Sequence, residues 1–467
     1  MSIKWLGAAA TAVVMLPVFL VGSDAPMPQA ESDEVETPGA IDLSLPGQPG
    51  PATNQVLGRN ELDAAIGGNV LVNDRTLCPN GRGLIQSETS VAVAGNVVVA
   101  AFNDSRGVCE PDTHAAVGWA FSLDNGDTWT DGGGLPSSRQ LNNGDPWVAA
   151  SPDGQTFYLT GLYNGYQGFG FYRGTVTNTG IDWSLATVVQ FGSATHDKEA
   201  IAVNPSTGRI HLTYTRFSAP CTICSTYSDD GGFTWNPQVP VYTGSSQGSM
   251  PALDGQGNLY VAFNASPNIR VYKSTDGGDS FQSVASFGFS TPGVPFMDRS
   301  SDFPQIAIDT SGGDLDGWVY VVWHNGVANN VNVMISHSED GGASWSTPMI
   351  VNQDGVASYH WWGSVSVDAN GTVNVIYLDR RNNPGTGLTD CFLSQSTDGA
   401  TTFTDYQVTD LTSSWQGIMT DPGFTYAGDY IRGVTQGTSL YATWADPRNG
   451  DPDVYFSRID APMGARR

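Results

Sequence analysis

The chain has 467 residues, 46 acidic against 20 basic, for a formal net charge of -26 at pH 7. Such a charge repels phosphate backbones and anionic lipid, which sets nucleic acid aside as a partner and leaves neutral ligands and cations open. With 56 Gly, 27 Pro and only 14% charged residues, the composition excludes a long-helix architecture and suits many short strands joined by tight turns.

The first segments in chain order are not globular. Residues 1–30 read as an export signal: Lys4 precedes an apolar run from Leu6 to Val21, with small or polar residues after it. A retained N-terminal anchor is the alternative, because Pro26 and Pro28 disturb a small-x-small cleavage site, and no cysteine follows closely enough for a lipoprotein. The expectation is a secreted or extracytoplasmic protein, with any membrane contact confined to this segment. Residues 31–68, rich in Pro, Glu, Asp and Gly without periodicity, read as an acidic linker, and residues 69–467 as one folded domain.

Five cysteines in an exported chain favour disulfides over metal ligation. Cys221 and Cys224 form a CxxC with no second CxxC and no nearby His pair, so a small disulfide loop is expected rather than a zinc site. Cys78 and Cys109 are candidates for a second bridge, leaving Cys391 unpaired.

From Asn69 onward one unit recurs. A β-rich run ending in an aromatic appears as NVVVAAF to Phe102, GRIHLTY to Tyr214, GNLYVAF to Phe263, GWVYVVW to Trp323, GTVNVIY to Tyr377 and TSLYATW to Trp444; TFYLTGL to Leu162 has lost the aromatic. Another apolar strand comes before it, such as SVAVA from Ser90 or PQIAI from Pro304. Behind it comes a phrase: SLDNGDTW from Ser122, SDDGGFTW from Ser228, STDGGDSF from Ser274, SEDGGASW from Ser338 and STDGATTF from Ser396, with a worn copy, VTNTGIDW, from Val176. A unit repeating every roughly fifty residues is a meander of about four short antiparallel strands, the blade of a β-propeller. The expected fold is all-β, a seven-bladed propeller, with six blades as the alternative. The last unit, Asp429 to Arg458, holds strands for three positions, and the lone strand NVLVND, Asn69 to Asp74, is expected to supply the fourth and close the ring.

In the phrase, Ser and Asp side chains accept hydrogen bonds from turn N–H groups, Gly takes a positive φ, and the final aromatic packs back between strands. The phrases resemble the Asp-box, or bacterial neuraminidase repeat, of sialidase-like propellers, over nearly all of the chain after Asn69. The resemblance implies a turn role for the boxes and an active face opposite them. If the box joins the third and fourth strands, that face holds the second-to-third loops and the connections between blades. NDSRGVCEPD from Asn103, LDRRNNPGTGLTD from Leu378 and ADPRNGDPD from Ala445 are among its longer loops.

The connections between blades carry Glu88, Asp145, Asp197 with Lys198 and Glu199, Asp302, and Asp429; the other two carry Ser249 and the tetrad Tyr359, His360, Trp361, Trp362. Carboxylates converging on one axis repel, so protonation, an arginine or a cation must balance them. One reading is a ligand or Ca²⁺ site, since calcium takes hard oxygen ligands; the other is a set of caps for strand ends and channel water. No cofactor is required. Arg106, Arg380, Arg381 and Arg448 follow the second-strand aromatics beside Asp104, Asp379 and Asp446, either to grip a ligand carboxylate or to pin their own loops through local salt bridges. The aromatic tetrad suits stacking on a sugar or packing between blades.

The sialidase resemblance implies a Tyr nucleophile assisted by Glu, with an Asp acid/base, and Tyr430, Glu88 or Glu199, and Asp145 sit at fitting positions. The Arg-Ile-Pro signature is absent, no arginine triad can be assigned, and an acidic mouth repels sialic acid, so an exo-sialidase proper is not expected. A neutral-sugar glycosidase needs two carboxylates at suitable separation, which the ring offers. The expected function is recognition of a carbohydrate or glycoconjugate on the face opposite the boxes. Glu88, Asp145, Glu199, Asp302 and Tyr430 are the candidate catalytic groups, and Asp197, Asp429, His360, Trp361, Trp362 and the four arginines the candidate ligand contacts. A non-catalytic binding or assembly scaffold is the alternative.

Overall fold

Among the described residues, short runs of alternating or wholly apolar residues, punctuated by Gly and Asp, become strands and no helices. The computed structural model describes residues 68–75, 85–105, 116–136, 142–290, 293–297, 301–327, 329–418 and 428–460. The export signal, nearly all of the linker, Arg106, and the proposed Cys78–Cys109 bridge lie outside these residues.

Seven antiparallel sheets follow one another along the chain, over residues 86–134, 142–189, 196–242, 247–288, 305–350, 360–414 and 432–460, here blades 1 to 7. Each runs in sequence order from an innermost strand outward, which is a seven-bladed propeller. Blade 7 has three strands of its own and borrows its outermost from the N-terminal side: Val70 pairs with Phe456 and Leu71 with Tyr455. The Val72 N–H donates to the Val454 carbonyl at 2.9 Å, and the Asn73 side chain accepts the Val454 N–H at 2.7 Å. The expected closure of the ring is therefore present. Between blades the apolar faces interdigitate, as where Val99, Ala101 and Phe121 of blade 1 share a cluster with Val148, Phe157 and Leu159 of blade 2.

The repeated phrase lies between the third and fourth strands in each blade that carries it. In blade 4, Ser274 Oγ donates to Asp276 Oδ1 at 2.7 Å and accepts the Gly278 N–H at 2.8 Å, while Asp276 also accepts the Ser280 N–H and hydroxyl. Gly278 holds φ 98°, open to glycine but strained for other residues. Blades 1, 3, 5 and 6 repeat this pattern. The bonds hold the Asp276 carboxyl at about 2, through the Ser280 and Ser274 hydroxyls foremost, and the carboxyls of Asp124, Asp230 and Asp340 are likewise at about 2. A folded-state pKa below the unfolded 3.8 stabilises above about pH 4 and is lost as pH falls toward 2. The urea midpoint is accordingly expected to fall steeply across that window, and less steeply in Asp276→Asn; equal slopes would count against the turns as its origin.

Just inside the start of the innermost strands the register slips by a bulge, between Ser87 and Ser90, Gly144 and Trp147, Asp197 and Ala200, Gln247 and Met250, and Trp361 and Ser364. One residue at each bulge has positive φ: Glu88 52°, Asp145 56°, Lys198 49°, Gly248 70° and Trp362 53°. A bulge re-aims the side chain it carries. Here it gathers a ring of side chains at the mouth of the central channel.

Two residues further along, Trp147, Met250, Gln305 and Arg432 form a cross-linked layer. Arg432 Nη1 donates to Gln305 Oε1 at 2.7 Å and its guanidinium lies 4.5 Å from the Trp147 ring, while Gln305 Nε2 is 3.7 Å from Met250 Sδ. Beyond that layer a cavity of about 350 Å³ continues between the innermost strands. Cys221 and Cys224 are bonded, with Cα atoms 5.6 Å apart, and Cys391 is a buried free thiol pushed well up by burial.

Candidate functional site at the channel mouth

The hub of the mouth is Lys198, carried inward by its bulge. Its Nζ lies 2.6 Å from Asp429 Oδ2, 2.8 Å from Asp145 Oδ2 and 3.1 Å from Glu88 Oε1. The network spreads from there. Ser301 Oγ donates to Asp429 Oδ1 at 2.5 Å, and Trp362 Nε1 donates to the Ser301 carbonyl at 3.1 Å. On the other side Asp197 accepts the Lys198 N–H at 3.0 Å and the Gln247 amide at 2.5 Å. Side chains from all seven blades or the segments leading into them thus meet in one hydrogen-bonded set.

Its electrostatics follow from one buried ammonium facing three carboxyls. Burial opposes the Lys198 charge, but Asp145, Asp429 and Glu88 outweigh it and hold its pKa well above the usual value. Burial, with Asp145 beside it, drives the Glu88 carboxyl well above the usual range, and the two carboxyls hydrogen-bond each other. Burial raises Asp145 too, to about 6, with Lys198 pulling against it. Glu199 is 2% exposed and neither carboxyl oxygen has a hydrogen-bond partner among the described residues. Burial foremost, then Asp145, pushes its carboxyl well above the usual range.

Tyr430 joins the cluster as a wall. Its hydroxyl donates to the Pro146 carbonyl at 3.3 Å, its ring lies 5.8 Å from Lys198 Nζ, and burial holds the phenol well above its usual pKa. A tyrosinate is costly there. Asp302 stands apart from the hub, with Oδ1 at 2.5 Å from His324 Nε2. Calcium does not fit the converging carboxyls, because the Lys198 ammonium occupies the point at which they meet.

A second polar cluster lies at the start of blade 6. His360 Nδ1–H donates to the Val331 carbonyl at 2.6 Å, which points Nε2 at Asp354 Oδ2, 3.1 Å away, and Asp379 Oδ1, 3.4 Å away. One His and two carboxylates within 4.8 Å of one another form a donor set that a divalent metal could use. Here two cations of the chain itself, His360 and Arg381, already engage the carboxylates. Burial opposes the imidazolium, but Asp354 and Asp379 raise its pKa, and Arg381 lies 2.5 Å from both Asp379 and Asp405.

The remaining predicted residues divide by one-residue steps. Arg381 and Arg448 pair locally, Arg448 with Asp446 at 2.8 Å and Asp410 at 2.6 Å. Arg380 does not pair with its neighbour Asp379; it donates to the Pro295 carbonyl at 2.6 Å and to Thr389 Oγ1 at 3.2 Å, stacks over Trp361, and has its pKa lowered to about 10 by burial. Trp361 and Trp362 are 0% and 3% exposed, so neither offers a ring face to a sugar in this conformation. The hub role of Lys198 and the partners Ser301, Gln247, Asp354 and Asp405 were not anticipated. One signal for Lys198 was available: it is the basic residue in an otherwise acidic set of inner-strand heads.

No family model matches the chain, and no curated protein matches it. Among solved structures, a protein of unknown function from Dyadobacter fermentans superposes with a TM-score of 0.48 at 14% identity, over 85% of this chain and 100% of that one. An alpha-L-arabinanase from Penicillium chrysogenum, complexed with arabinobiose, gives 0.46 at 12% identity, over 85% and 98%. NanB gives 0.43 at 12%, over 84% and 70%. At these identities no chemistry passes from those proteins to this chain.

Proposed function

We propose that this protein is a carbohydrate-recognising propeller working at its channel mouth, with Asp145 as the carboxylate that serves glycoside cleavage. The observation that carries this reading is Asp145 itself, pushed up to about 6 by burial and held 2.8 Å from Lys198 Nζ. Glycoside cleavage takes two carboxyls about 5–9.5 Å apart, so Glu88, hydrogen-bonded to Asp145, is not its partner in the reaction. The export signal read in the sequence fits action outside the cytoplasm, and the resemblance of the repeated turns to Asp-boxes supports a working face on the side opposite them.

Fluorogenic neutral and sialylated glycosides test it. Turnover of a neutral glycoside is expected, rising with pH through about 6 as Asp145 ionises, and falling by about 100-fold or more in Asp145→Asn. Silence across both substrate classes would sink the catalytic assignment. A second reading, a non-catalytic scaffold, draws on the engagement of all three carboxyls by Lys198 and of the Tyr430 hydroxyl by Pro146. It predicts glycan binding on an array without turnover.

A further inference from the structure

We propose that the channel beyond the cross-linked layer is a second binding site, for a small polyhydroxy carboxylate whose acid group pairs with Arg432. The site lies toward the repeated turns, apart from the mouth, and does not rest on the reading given for the mouth.

The layer closes one end of the chamber, and its own bonds show which way the backbone faces. Ser90 Oγ accepts the Val148 N–H at 3.1 Å, Ser364 Oγ accepts the Gly433 N–H at 3.1 Å, and Trp147 Nε1 donates to the Ile201 carbonyl at 3.1 Å. In an antiparallel strand the N–H and C=O of one residue lie on the same edge, so Val148, Ile201 and Gly433 turn both groups away from their own second strands and toward the axis. The alternation repeats two residues further along each strand, at Ala150, Val203 and Thr435, all of which line the cavity of about 350 Å³. No strand pairs with that edge in any blade. The wall is therefore a run of donors and acceptors in equal number, set between small side chains such as Ala149, Ala202 and Ser366. At its far end are the hairpins beside the repeated turns, since the Asn125 N–H of the first turn donates to the Asn96 carbonyl at 2.8 Å.

One charged side chain lines this space among the described residues. Arg432 gives Nη1 to Gln305 Oε1 at 2.7 Å and packs its guanidinium 4.5 Å from the Trp147 ring, and no carboxylate pairs with it. The Gln305 amide is held in turn by Met250 Sδ at 3.7 Å, which keeps Oε1 on the arginine. Nε and Nη2 make no bond within the described residues, and together they form the two-donor edge that matches a planar carboxylate. Burial lowers the Arg432 pKa to about 10, with no charged neighbour acting on it.

The wall and the charge together select the ligand. Water satisfies the strand edges and leaves the buried charge without an anion. A phosphate answers the charge but sets acceptor oxygens against a wall that is half carbonyl, and a hydrocarbon tail leaves the edges unpaired. A hydroxyl both donates and accepts, so a chain of hydroxyls suits the edges and a single carboxylate suits the single guanidinium. A chamber of about 350 Å³ is at the small end of ligand pockets, which fits a molecule of monosaccharide size.

Gluconate is the probe, titrated by calorimetry into the full chain. Sorbitol, hexanoate and inorganic phosphate are the arms that lack the acid group, the hydroxyls and the carbon chain. Gluconate is expected to bind at one site, more than tenfold tighter than each of the three. Arg432→Met, which keeps the stacking volume and removes the charge, should weaken gluconate at least tenfold and leave sorbitol unchanged. Its urea midpoint should equal or exceed that of the parent, because the charge removed has no partner. Ala202→Leu, which narrows the chamber and keeps Arg432, should also weaken gluconate at least tenfold. No gluconate binding at millimolar concentration, hexanoate or phosphate binding as tightly as gluconate, or equal gluconate affinity in the parent and in Arg432→Met, would overturn the site.

Discussion

Replacing Lys198 with methionine is expected to lower the unfolding free energy by about 3–5 kcal/mol, the usual cost of removing one member of a buried ion cluster. Three carboxyls bond this ammonium, and it is 5% exposed with Glu88 and Asp429 each 1%. Without it they face one another across a dry space, and either they take up protons or the mouth opens. The loss should therefore depend on pH in a defined direction. Asp145 has a folded pKa of about 6, raised above its unfolded 3.8, so its contribution is fully present below about pH 4 and is lost as pH rises through 6. Removing Lys198 raises that folded value further, so the variant should come closest to the parent near pH 4 and fall furthest behind above pH 6. Adding Glu88→Gln and Asp145→Asn to Lys198→Met should recover part of the loss, because neutral amides no longer repel. Urea unfolding of the four combinations measures the coupling. A midpoint for Lys198→Met within about 1 kcal/mol of the parent at pH 7 would show that the cluster is not a charge-compensated unit.

A chain that starts at Arg75 is expected to be less stable by about 4 kcal/mol or more than one that starts at Gly68, and to associate. The difference between the two is the borrowed strand. Val72, 2% exposed, loses a burial worth about 1.5–3 kcal/mol, and the Val454 N–H and carbonyl lose their partners in the strand, about 0.5–1.5 kcal/mol for each bond. The strand Asp453–Asp460 then becomes a free edge with its backbone groups ready to pair with another chain. Sedimentation and urea unfolding measure both effects. Two chains of equal midpoint, both monomeric, would mean that blade 7 is complete with its own three strands.

The blade count and the closing strand were legible because a repeat announces its own unit, and because the last copy stops one strand short. The Ser-x-Asp turns were legible for a local reason: their hydrogen bonds all fall within seven residues, from Ser274 to Ser280 in blade 4. The mouth was legible as a set of residues and not as an arrangement. Asp197, Lys198 and Glu199 are adjacent, and a single inserted residue decides which of them points at the axis; the bulge between Asp197 and Ala200 selects Lys198. Nothing in the local composition marks that insertion. Arg380 and Arg381 show the same ambiguity, since they stand just past the end of a strand at Asp379, where the turn decides which way each points. Arg381 meets Asp379 and Asp405, while Arg380 is driven inward onto Trp361.

Glu88, Asp145, Lys198 and Trp362 hold φ between 49° and 56°, a backbone shape that costs a side-chain-bearing residue about 1–3 kcal/mol and glycine almost nothing. Blade 4 has already taken the relaxed solution at the equivalent place, with Gly248. Glycine at Lys198 would relieve that strain but forfeit the ion cluster, about 3–5 kcal/mol, and at Trp362, 3% exposed, it would leave a cavity. The mouth is thus a strained patch that its own charges and packing hold in place, so selection for heat resistance alone would not erase it.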